Sequence, residues 1–120
     1  MSPVKHAVSG PTLVFSLTEE IQALHKELAN APARSAKTLV KEGPITVTLI
    51  GLNAGGCLSA HKAAGPIAVQ VLEGEILFKV GETTRTMGVG TLLALDGGIT
   101  HDVESAHGGI FLLTVVARDK

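Results

Sequence analysis

The chain has 120 residues, of which 45% are hydrophobic, and a formal net charge of −1, enough for one domain and too short for two ordinary ones. Lys and Arg are scattered and only 2% of residues are aromatic, which argues against a nucleic-acid face, a base-stacking platform and a polybasic membrane patch. The single cysteine, Cys57, excludes an internal disulfide, and with no apolar run near the ~20 residues of a membrane span and no signal segment, a cytoplasmic location is the simplest expectation.

Residues 1–15 read as a loose N-terminal arm, because Met1 to Pro11 carries Ser, Pro and Gly with no clear period. Residues 16–120 read as one domain. Ser16 and Glu19 have the spacing of a capping box. Ile21, Leu24 and Leu28 then recur at helical intervals, and Pro32 blocks continuation. This predicts a helix over residues 17–30, lying outside the strands that follow.

From Lys37 onward, short apolar runs are broken by glycine. Strands are expected at 37–41, 45–52, 57–63, 67–73, 75–80, 83–87, 91–95, 100–104 and 109–116. No helix interrupts them, so parallel βαβ units are excluded and an all-β sandwich, jelly roll or barrel is predicted. Its core must be Val, Leu, Ile and Ala, since Phe15, Phe78 and Phe111 are the only aromatic residues. The run from Gly109 to Val116 is apolar on both faces and needs cover on both. A second copy of the chain is one source of that cover. Together with the apolar segment Thr12 to Leu17 and a mean hydropathy of +0.36, it predicts a homodimer.

Strand alternation indicates where the histidines point. Over 57–63 it groups Cys57, Ser59, His61 and Ala63 on one face. Over 99–104 it groups Ile99, His101 and Val103 on the apolar, inward face and Thr100, Asp102 and Glu104 on the polar one. Ile67, Val69 and Val71 also point inward. Lys62, Glu73, Asp102 and Glu104 read as solvated outer charges. His6 in the arm, His25 on the helix and His107 beside a Gly-Gly turn have no partner at a chemically useful spacing.

Two segments carry a family pattern. The first runs from Gly55 through His61 to Gly74; the second runs from Gly90 through Gly98 to His101. Here the chain resembles the cupin superfamily, and more narrowly the small RmlC-like, cupin 2 barrels, over about residues 38–116. The family's first motif is Gly, five residues, His-x-His, three or four residues, Glu, six residues, Gly. Gly55, His61 and Gly74 match it, while Ala63 replaces the second His and Ile67 the Glu. Its second motif is Gly, five residues, Pro-x-Gly, two residues, His. Gly90, Gly98 and His101 match, and Asp96 replaces the Pro.

The resemblance implies a double-stranded β-helix, or jelly-roll barrel, with His61 and His101 converging in its lumen. It also implies that Ala63, Ile67 and Val69 line the same pocket. The family's metal ligands would fall at His61, Ala63, Ile67 and His101, and only the two histidines can donate. Such a pair offers at most a weakly held Fe, Mn, Ni or Zn ion, because catalytic sites usually keep three protein ligands. Gln70, Glu75 and His107 are conceivable replacements, although alternation turns Gln70 away from Ile67.

Two functions stay open. One is a binding module whose lumen takes a small, mostly apolar molecule. The other is a cupin enzyme of dioxygenase, isomerase or epimerase type, in which His61 is the candidate catalytic base. Cys57 is a further candidate for oxygenase chemistry, and more simply a small apolar residue. No tyrosine is present to serve either chemistry.

Overall fold

The computed structural model describes residues 7–117, and the side chains of residues 60 and 61 lie outside the described residues. Helix α1 (Leu17–Leu28) precedes β1 (Arg34–Glu42), β2 (Ile45–Leu52), β3 (Cys57–His61), β4 (Ile67–Val80), β5 (Thr83–Gly88), β6 (Leu92–Leu95), β7 (His101–Glu104) and β8 (Gly109–Val116). Every strand pairing is antiparallel. The expected jelly-roll class is therefore present, with α1 outside the strands.

The start of α1 is the predicted one. Ser16 has extended backbone angles, and its hydroxyl accepts a hydrogen bond from the Glu19 backbone N–H at 3.3 Å. The end comes two residues earlier than the expected Asn30. The Asn53 side-chain amide donates to the carbonyls of Leu28 at 2.9 Å and Ala31 at 3.0 Å. A side chain 25 residues beyond Leu28 thus bonds the carbonyls at the helix end, where Ala31 N–H also turns back to Leu28. Part of the arm is also tied down: Lys41 N–H donates to the Val8 carbonyl at 2.7 Å, and Gly10 N–H to the Glu42 carboxylate at 2.8 Å. The expectation for His6 lies outside the described residues.

Strand β4 is one 14-residue element where two were expected. Its first half pairs with β8 and β6, its second half with β5 and β7. The chain thereby passes from one sheet, ordered β1-β2-β8-β4-β6, into a second, ordered β5-β4-β7-β3. The bend falls at Gly74, whose φ of +66° is a left-handed conformation that side chains disfavour. A Cβ there would also run into the Gly108 carbonyl oxygen.

Between the two sheets lies the main core, built from Ile67, Val69, Val71, Phe78, Val103 and Phe111 among others. Burying each such side chain stabilises the fold by about 1.5–3 kcal/mol. A second layer forms where Leu24 and Leu28 of α1 meet Leu39, Leu49 and Ile110 on the outer face of the first sheet. Helix and sheet approach closely because Gly51 has no side chain; a Cβ there would meet Leu28 Cδ1 at 2.6 Å. Glu20, 5% exposed, is held to β1 by Lys37 at 2.7 Å.

This arrangement explains the two-sided apolar strand. Phe111, Leu113 and Val115 of β8 face the main core, while Ile110 and Leu112 face the layer that α1 completes. Much of the second cover thus comes from the chain's own helix.

Candidate functional site

The two motif segments meet through glycine contacts. Gly98 N–H donates to the Ala63 carbonyl at 2.9 Å, and Gly97 lies so close to Gly65 that a Cβ would be 2.8 Å from its Cα. Asp96, at the position of the family's Pro, accepts from the Gly97 N–H at 2.8 Å and closes the turn with its side chain instead of a ring. The four glycines that carry the resemblance, Gly55, Gly74, Gly90 and Gly98, all have φ between +66° and +89°. They recur because the turns need that backbone.

Along β3 and β7 the register pairs Leu58 with Val103 and then His61 with His101, so three steps on β3 match two on β7. This β-bulge brings the two histidine backbones opposite one another. The expected separation of their ring nitrogens, roughly 5 Å if both are to touch one ion, falls on a side chain outside the described residues.

The bulge also corrects the expected face of Cys57. Simple alternation groups it with His61, but Cys57 pairs with Glu104 on the outer side and is exposed, and Leu58 packs against the core in its place. An extra residue reverses the alternation between Leu58 and His61. Cys57 is thereby moved away from the lumen, and its nearest polar neighbour is Ser59, with Sγ and Oγ 3.8 Å apart.

His101 is buried, at 4% exposure. Its Nδ1 lies 2.9 Å from the Ile99 carbonyl, an acceptor, so Nδ1 carries the proton and Nε2 is the basic nitrogen. Its ring stacks on Phe78 with centroids 5.2 Å apart and planes 14° apart. These two contacts hold the imidazole in one orientation.

Ile67 and Val69, 4% and 1% exposed, lie inside the main core, and Ala63 packs on its margin. Among the described residues no three His, Cys, Asp or Glu side chains are placed to hold a metal ion. At the family's ligand positions the donor set is two imidazoles beside two hydrocarbon side chains. It does not fit a tightly bound catalytic metal. Gln70 and Glu75 are exposed, as their outward registers require.

The outer charges behave mostly as expected. Lys62 is exposed, and Glu104 pairs with Lys79 at 2.9 Å. The hydrogen bond that Lys79 donates to the Glu104 carboxylate, and the charge of that carboxylate, hold the Lys79 pKa above its ordinary value. Any stability from this pair is present at neutral pH and is lost as pH rises through that raised value.

His25, expected to have no partner, meets Glu73, one of the outer charges. Their Oε1 and Nε2 are 2.6 Å apart, across 48 residues of sequence. With His107 they line a pocket of about 290 Å³ beside α1. A second pocket, of about 310 Å³, opens between β5 and β6 and is lined by Phe78, Val80, Thr83, Arg85, Leu93 and Leu95, with Ala94 at its edge. No sequence spacing pointed to either.

No family model and no curated protein matches the chain. Solved structures do. A cupin 2 conserved barrel domain protein from Leptotrichia buccalis is 29% identical with a TM-score of 0.67, over 71% of this chain and 41% of that one. An RmlC-like cupin from Shewanella frigidimarina is 17% identical at TM-score 0.68, over 75% and 81% of the two chains. Salicylate 1,2-dioxygenase from Pseudoaminobacter salicylatoxidans is 16% identical at TM-score 0.77, over 93% of this chain and 35% of that longer one. The fold of this chain is the cupin fold.

Proposed function

We propose that this protein binds a small, mostly apolar molecule in the barrel lumen, with His61 and His101 orienting it. The observation that carries this reading is the fixed imidazole of His101, stacked on Phe78, which itself lines an open apolar slot. Hydrocarbon side chains at positions 63 and 67 support it. They favour an apolar ligand and remove two of the four donors a family metal would use.

Metal analysis of untagged protein, followed by titration with Fe(II), Mn(II), Ni(II) and Zn(II), tests the reading against a metal enzyme. The expected result is sub-stoichiometric metal after purification and only weak binding of each added ion. One tightly held ion per chain would overturn the binding reading in favour of a metal-dependent cupin enzyme.

A homodimer is the second part of the proposal. Leu92, Ile45 and Val116, respectively 67%, 41% and 38% exposed, lie on the sheet face that α1 leaves open. Stable pairs usually bury more than about 1,200 Å² in total. Sedimentation at micromolar concentration should give twice the 12.3 kDa of one chain. A species of single mass across that range would refute the dimer.

A further inference from the structure

The slot between β5 and β6 carries a charge that the main core has no use for. β5 is the outer strand of one sheet and β6 of the other, and the slot lies where the two edges face each other. Cross-strand register pairs Arg85 with Phe78 and Thr83 with Val80. Directly opposed residues share a face, so Arg85 and Thr83 lie on the same face of the hairpin as the two apolar side chains, exposed at the rim of the slot. Leu93 and Leu95 form the opposite wall. Their strand partners, Val69 and Ile67, are core residues, which ties the slot to the lumen.

Arg85 makes no hydrogen bond or ion pair among the described residues, and no acidic side chain is among those lining the slot. A guanidinium at the mouth of an apolar cleft has a specific chemical complement. Its planar fork of donors matches a carboxylate through two parallel hydrogen bonds. The apolar walls then accept the rest of the molecule. Only one cation lines the slot, so a single negative charge is matched.

We propose that the slot binds a monocarboxylate with an apolar body, Arg85 taking the carboxylate, Thr83 supplying a hydroxyl beside it, and Phe78, Leu93 and Leu95 packing on the hydrocarbon. The proposal rests on the lumen-binding reading above and names the ligand class for it. Because Phe78 also stacks on His101, a body seated against Phe78 is felt at the histidine.

The test uses four probes on the full chain: benzoate and hexanoate, and their neutral counterparts benzamide and hexanamide. Binding is followed by calorimetry and by backbone amide NMR shifts. The carboxylates should bind at least about tenfold tighter than the amides, as expected for a charge-assisted pair. They should shift the amide signals of Phe78, Arg85 and Leu93. Arg85→Gln should abolish the preference, with the carboxylates losing the most affinity, and Arg85→Lys should keep part of it. Equal affinity for acid and amide, or a preference that survives Arg85→Gln, would overturn the carboxylate assignment and leave lumen binding standing. Failure of all four probes to shift any residue of the slot or the lumen would overturn both.

Discussion

Phe78→Ala should lower the free energy of unfolding by about 3–5 kcal/mol, the usual range for truncating a fully buried aromatic side chain. Phe78 is 1% exposed and stands between the two sheets. It also stacks on His101, a contact of the kind worth about 0.5–1.5 kcal/mol beyond the buried area. Against a total of about 5–15 kcal/mol for an ordinary domain, such a loss is a large fraction. Urea unfolding of the variant should show a markedly lower midpoint with the same slope. Val89→Ala, at a position 67% exposed, should stay within about 0.5 kcal/mol of the parent. A Phe78→Ala loss below about 1 kcal/mol would mean that the cavity collapses at no cost, and that the stack does not hold His101 in place.

Gly74→Ala should be nearly as damaging, by a different cause. The left-handed φ of +66° costs a side chain about 1–2 kcal/mol. The added methyl would also press on the Gly108 carbonyl oxygen and lie 2.9 Å from Gly109 Cα, both backbone atoms that cannot rotate away. Overpacking of this kind adds about 1–3 kcal/mol, for an expected loss of about 3 kcal/mol or more. Gly90→Ala isolates the first cause. Its φ is +89° but nothing lies within 4 Å of the added atom, so only the conformational cost of about 1–2 kcal/mol should appear. Thermal unfolding of the two variants gives the comparison. Equal losses would show that the close approach of β4 to the turn before β8 is not what makes Gly74 necessary.

Much of the architecture is written in local patterns. The Ser16 cap, the Ile21–Leu24–Leu28 stripe and Pro32 place α1 because each acts within one or two helical turns. The strands from Ile45 to Leu52 and from Gly109 to Val116 are predicted to the residue, since runs rich in Ile, Val, Leu and Thr that open at Pro44 and at Gly109 favour a strand and leave little choice of start. The motif glycines are legible for the same reason: a left-handed turn restricts the residue that can occupy it, wherever the turn is.

What the sequence by itself determined, then, is the jelly-roll class, the helix start, the inward side of His101 and the hydrocarbon side chains at Ala63 and Ile67. The tertiary structure decided the rest. One added residue in β3 turned Cys57 outward and set His61 opposite His101, and a bulge follows from how two strands are made to pair, which neither strand encodes alone. Asn53 bonds the last helical residue from 25 residues away, and Glu73 meets His25 across 48. Arg85 came to the same face as Phe78 through the register of a hairpin, at the rim of a slot that exists only where the edges of two sheets face each other. Periodicity reports which side of its own strand a residue occupies. What lies across from it depends on contacts between distant segments, and those form only when the whole chain packs.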